Sequence, residues 1–184
     1  LIITWNGYQD QEVIYPYYRL LEDGFTVDVL AEEVSTIYGI LGTKINANFN
    51  HKSLNNDKVS EYEFVLLPGG VKALEKIRQQ QNILQFINAF VKSGKTIAST
   101  CHGAQLLISA KVTDGKKISG YYSIKDDIEN SGATYVDEPA VVDGNIVSSP
   151  HYDHMGAWMK KALGRRVLRF QKRSSLNLVV KNFT

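Results

Sequence analysis

The stretch TIASTCHGAQLLISA, residues 96–110, decides how the rest of the chain is read. Small and β-branched residues over 96–100 have the character of a buried strand. From Cys101 to about Ala110 the spacing becomes helical. The chain's only cysteine therefore falls at a strand-to-helix joint rather than inside either element. A helix N-terminus supplies partial positive charge and free backbone N–H groups, which favour a thiolate and can hold an oxyanion. Gly103, two residues on, permits a tight turn and close approach of helix and strand. The mechanics are those of a strained nucleophile elbow. His102 is placed either to act as a base or to lend only its N–H. The competing reading of Cys101 is a small buried hydrophobe, a common use of free thiols.

Outward from that stretch, strands and helices alternate. LIITW (1–5) reads as a short buried strand, and QEVIYPYYRLLEDG as a helix stopping at Gly24. FTVDVLA (25–31) alternates like a strand, and YGILGTKINANFN (38–50) reads as a hairpin broken by Gly39 and Gly42. YEFVLLPGG (62–70) is an apolar strand running into a Pro-Gly-Gly loop. Helical segments cover roughly 72–93. Beyond the elbow, YYSIKDDIENSG reads as a helix, TYVD and AVVDGNIVSS as strands, and HMGAWMKKALG as a closing amphipathic helix. This order predicts an α/β sandwich around a largely parallel sheet. Sites in such sheets form at the carboxyl ends of strands, where LPGG and STCHG both fall.

Composition narrows the function classes. With 184 residues, 43% hydrophobic and 22% charged, one packed domain is expected, over 1–163, followed by a basic extension at 164–184. The net charge of +2 does not point to nucleic acid. No run of about 18 apolar residues predicts a membrane span, and the first residues do not read as a signal peptide. A single cysteine fits a reducing, cytoplasmic setting. Neither a Walker loop nor a Gly-x-Gly-x-x-Gly fingerprint is present, so no cofactor is expected. His151, Asp153 and His154 have the ligand types for a metal, but their spacing is not diagnostic, and no metal is predicted.

The elbow ASTCHGAQLLISA resembles that of the ThiJ/PfpI superfamily, whose PfpI-like branch carries Cys-His-Gly-x-Gln-Leu-Leu-Ile. The first helix, the LPGG loop, IKDDIENSGA and VVDGNIVSS are similar too, in matching order over 1–163. The resemblance implies a flavodoxin-like three-layer sandwich and Cys101 as nucleophile. It implies that Glu12 is a buried acid that tunes the thiol, favouring thiolate when protonated and opposing it when ionised. Gly70 and His102 would supply oxyanion N–H groups, and Tyr121 an active-site aromatic. In the PfpI branch an acid after the loop orients the histidine from a neighbouring subunit. Glu75 is the candidate here, although the loop is one residue longer. The family's arginine after the last strand is replaced by Pro150.

The expected activity is attack on a carbonyl, either of a small aldehyde such as methylglyoxal (glyoxalase or deglycase action) or of a peptide bond. The expected partners are that substrate and further copies of the chain. Two rivals use the same thiol. Class I glutamine amidotransferases, related proteins, pair their cysteine with a distal His-x-Glu. His151 and Asp153 offer His-x-Asp at a comparable place, and Gln105 matches both groups, but Ser99 stands where those enzymes have glycine. The other rival is a non-enzymatic peroxide sensor or chaperone-like stress protein.

Overall fold

The computed structural model of the chain describes residues 1–165. Eleven short strands and six helices are found there. They are β1 (Ile2–Ile3), α1 (Asp10–Glu22), β2 (Val29–Ala31), β3 (Thr36–Tyr38), β4 (Lys44–Asn46), β5 (Phe49–Asn50) and β6 (Phe64–Leu67). After these come α2 (Val71–Ile77), α3 (Gln81–Lys92), β7 (Thr96–Thr100), α4 (Ala104–Ser109), β8 (Lys117–Ile118) and α5 (Lys125–Asn130). The series ends with β9 (Thr134–Tyr135), β10 (Val141–Asp143), β11 (Ile146–Ser149) and α6, residues 155–165.

Seven strands form the main sheet in the order β10-β11-β7-β6-β1-β2-β5. All neighbours are parallel except the β10–β11 hairpin. Side chains alternate across this sheet, so each strand feeds two cores. Ile3, Val65, Leu67, Ile97 and Ile146 join the core under α2, α3, α4 and α5. Ile2, Leu66, Ala98 and Val147 join the opposite core, under Val13 and Leu20 of α1 and Trp158 and Met159 of α6. The flavodoxin-like three-layer sandwich is therefore what the chain forms.

Some boundaries differ from those expected of the sequence. The strand expected over 25–31 is shortened to 29–31, because residues 25–28 serve the exit from α1. There the Phe25 N–H donates to Leu20 O at 3.0 Å, and Asp28 accepts the Tyr62 hydroxyl at 2.8 Å. The 38–50 stretch does two jobs. Its first part closes the β3–β4 hairpin, while Phe49–Asn50 pairs in parallel with β2 at the sheet edge. The helical segments expected over 72–93 are α2 and α3, and the strand expected at TYVD is β9, although it pairs with β8 outside the main sheet. From residue 166 onward, the basic extension expected at 164–184 lies outside the described residues.

The register of the two central strands sets the place of the elbow. Leu67 of β6 lies opposite Ser99 of β7. The Pro68-Gly69-Gly70 loop and Cys101 therefore leave the carboxyl edge of the sheet side by side.

Candidate active site

Thr100 ends β7 in extended backbone, and Cys101 then takes a left-handed φ of 55° and starts a single 3-10 turn that leads into α4. An L-residue there costs about 1 kcal/mol or more. Two glycines hold the corner in place. A Cβ on Gly103 would overlap the Leu67 carbonyl, so α4 can approach β6 only without one. A Cβ on Gly69 would lie 2.7 Å from Glu12 Oε2 and 3.0 Å from Cys101 Cβ. The thiol is thus wedged between the loop and the first turn of its helix, and Cys101 is only 7% exposed.

Glu12, on the first turn of α1, is fully buried. Its Oε2 accepts the Gly69 N–H at 2.6 Å. Its Oε1 is buried with no well-formed hydrogen bond, on a carboxyl close enough to Cys101 for each group to perturb the other's protonation. Burial pushes the Glu12 carboxyl up to about 7, against the lowering effect of the Gly69 N–H. Burial also pushes the Cys101 thiol up, and an ionised Glu12 beside it pushes further, while the His102 N–H opposes both. A carboxylate and a thiolate disfavour each other here. Protonating Glu12 removes the repulsion and turns the same carboxyl into a donor to sulfur.

His102 Nδ1 lies 3.3 Å from Cys101 Sγ, and Nε2 lies 3.5 Å from Ser123 Oγ. Burial lowers the imidazole's pKa, which keeps it neutral and able to take a proton. Its ring packs on Tyr121 at 4.9 Å between centroids, Tyr121 stacks on His151 at 5.9 Å, and His151 meets Tyr152 at 3.8 Å. These rings form one wall of a cavity of about 520 Å³ that also touches Cys101, Gly70, Gln9, Ile40, Val71 and Lys72.

Cys101, His102, Gly70, Tyr121 and His151 all border this cavity, and Glu12 lies behind the thiol. Glu75 is apart from them, exposed on α2, and does not line the cavity. His151 Nδ1 faces Asp153 Oδ2 at 3.0 Å, the His-x-Asp pair anticipated from spacing, while Sγ contacts His102. No group of three metal-ligating side chains occurs among the described residues. Among them too, no helix is long and apolar enough to cross a membrane. Sequence reasoning missed Gln9, Ile40, Val71, Lys72 and Tyr152. For Gln9, Val71 and Lys72 a signal existed, because each lies close in sequence to a residue already singled out. Tyr152, between His151 and Asp153, carried the same signal, and Ile40 carried none.

Residues 1–165 match the model of the DJ-1/PfpI family. Deglycase PfpI of Pyrococcus furiosus is 37% identical over 161 residues, which cover 88% of this chain and 95% of that protein. General stress protein 18 of Bacillus subtilis is 33% identical over 166 residues, 89% of this chain and 94% of that protein. A two-domain protein from Anabaena variabilis, containing DJ-1/ThiJ/PfpI-like and ferritin-like domains, has a similar structure with a TM-score of 0.84 and 32% identity. The match covers 89% of this chain and 46% of that one, so this chain spans about half of the two-domain protein.

Proposed function

The chain belongs to the DJ-1/PfpI family, and from that premise we propose that it is a cysteine-dependent enzyme acting on small carbonyl compounds, with glyoxalase or deglycase chemistry. The observation that carries this reading is the Cys101–Glu12 pair. A buried carboxyl with its pKa near neutrality sits against a strained thiol that opens on a cavity of about 520 Å³. That space suits a small aldehyde better than an extended peptide. The deglycase name of the Pyrococcus relative supports the same class of reaction.

With methylglyoxal, His102 Nδ1 takes the thiol proton and protonated Glu12 hydrogen-bonds the sulfur. The thiolate adds to the aldehyde carbon, a C–S bond forms, and the carbonyl π pair moves to oxygen. The N–H groups of Gly70 and His102 hold that oxyanion until it is protonated. His102 then moves a proton from the former aldehyde carbon to the ketone side through an enediol, giving a thioester. Water cleaves the C–S bond, which releases lactate and restores the thiol. Glu75 of a second copy of the chain would orient His102, and a homo-oligomer is part of this proposal.

The His151–Asp153 pair gives a second reading, a glutaminase-type hydrolase with His151 as base. One set of assays separates the two. Lactate formation from methylglyoxal is expected in the wild type, falling by at least about a thousandfold in Cys101→Ser and surviving in His151→Ala. Glutaminase activity lost with His151→Ala would move the assignment to the second reading. Neither activity, with peroxide adding oxygen mass at Cys101, would make the protein a redox-sensing stress protein.

A further inference from the structure

Asp10 is the first residue of α1, where an acid facing solvent already complements the helix dipole. It is instead 3% exposed, and its oxygens reach a turn some thirty residues away. Oδ2 accepts the Leu41 N–H at 2.8 Å, while Oδ1 accepts the Thr43 N–H at 2.9 Å and the Thr43 hydroxyl at 2.5 Å. Tyr8 supports the same turn. Its hydroxyl lies 3.1 Å from Thr43 Oγ1, and its carbonyl accepts the Ile40 N–H at 2.9 Å. A Cβ on Gly39 would overlap the Asp10 carboxylate, so the turn fits around this acid only with glycine there. Burial acts to raise the Asp10 pKa, but the bonds from Thr43 and Leu41 outweigh it and hold the group below the usual carboxylate range.

Ile40 is the residue of this turn that lines the cavity over Cys101. Ile40 is 50% exposed and belongs to neither of the two buried cores, so core packing does not fix it. The hydrogen bonds converging on Asp10 and Tyr8 supply what packing does not.

We propose that Asp10 is a positioning residue: it locks the 39–43 turn so that Ile40 forms a rigid wall of the cavity, and this wall limits the size of the carbonyl compound that reaches Cys101. The inference rests on Cys101 being the nucleophile that the cavity serves, and not on its turnover.

The test compares how fast two reagents label Cys101, the chain's only cysteine. Iodoacetamide is small, and its iodide leaves as the S–C bond forms. N-phenylmaleimide is bulky, and the thiolate adds across its double bond with a proton taken from water. Asp10→Asn should raise the maleimide-to-iodoacetamide rate ratio about threefold or more, as loss of the clasp lets the turn open locally. Ile40→Ala should raise it as well, and the double variant should go no higher than the larger single effect. If Asp10→Asn fails to fold, Thr43→Ala decides, because it removes the hydroxyl's contacts with Asp10 and Tyr8, keeps both backbone N–H bonds to the carboxylate, and should shift the ratio the same way. An unchanged ratio in the folded variant overturns the proposal, and so does an additive double variant, since Asp10 would then act other than through Ile40. Absence of lactate formation in the wild type would defeat the proposed function while leaving this ratio readable.

Discussion

Among the described residues, two other than glycine take a left-handed φ, Cys101 at 55° and Lys111 at 56°, and they stand at opposite ends of α4. Lys111 does what left-handed residues commonly do. Its N–H donates to Ile108 O at 2.9 Å, the Val112 N–H donates to Leu107 O at 3.2 Å, and the helix ends in a Schellman motif. Its side chain is exposed, and glycine would serve the same backbone better. Cys101 has almost the same φ at the start of the helix, where no capping motif requires it. There the strain is held by Gly69, Gly103 and Glu12, and it aims a sulfur into a cavity. Equal strain has opposite meanings: at Lys111 it is local and replaceable, and at Cys101 it is enforced from three sides.

Gly103→Ala should break that enforcement with the largest effect. The added Cβ meets backbone rather than a movable side chain, so a loss of about 4 kcal/mol or of the fold itself is expected, beyond usual overpacking costs. Urea unfolding measures it, and a loss below about 1 kcal/mol would show that the corner is slack.

Next comes the pH dependence of Glu12. Its folded pKa is raised from 4.5 to about 7, so the folded chain holds a proton that the unfolded chain releases. That stabilisation is complete below about pH 4.5 and is lost as pH rises through 7, roughly 3 kcal/mol in all. Glu12→Gln should remove this falling component, so that the variant gains stability relative to the wild type as pH rises across the window. A difference between wild type and variant that stays constant across the window would mean that the folded protein does not raise the Glu12 pKa.

The smallest effect belongs to the other corner. Lys111→Gly should stabilise the protein by about 0.5–1 kcal/mol, the relief of left-handed strain less the entropy of glycine. The rate of Cys101 alkylation should not change, and a changed rate would mean that the two ends of α4 communicate.

The elbow was legible because its own parts are contiguous, a strand, a thiol, a glycine and a helix within fifteen residues, whereas Gly69 and Glu12, which hold it, come from elsewhere in the chain. The layered α/β architecture followed from alternation alone. The LPGG loop could be placed beside the elbow because both follow strands, although which of its glycines meets Glu12 could not be foreseen. Gly69 does, while Gly70 borders the cavity. Ile40 was invisible for a different reason. Its place in the cavity depends on Asp10 reaching across some thirty residues, and in sequence Asp10 is an ordinary helix-start acid. The strands at the margins, β5, β8 and β9, are two residues long, too short for any period to show.

The pairing of Leu67 with Ser99 in the middle of the sheet carries one more consequence. The Pro68-Gly69-Gly70 loop and the sulfur of the elbow each follow one of two adjacent, fully buried strands. The two strand ends can separate only if the centre of the sheet parts, which is the same event as melting the protein. Warming should therefore yield a mixture of fully competent and fully inactive molecules, with no partly worn population between them.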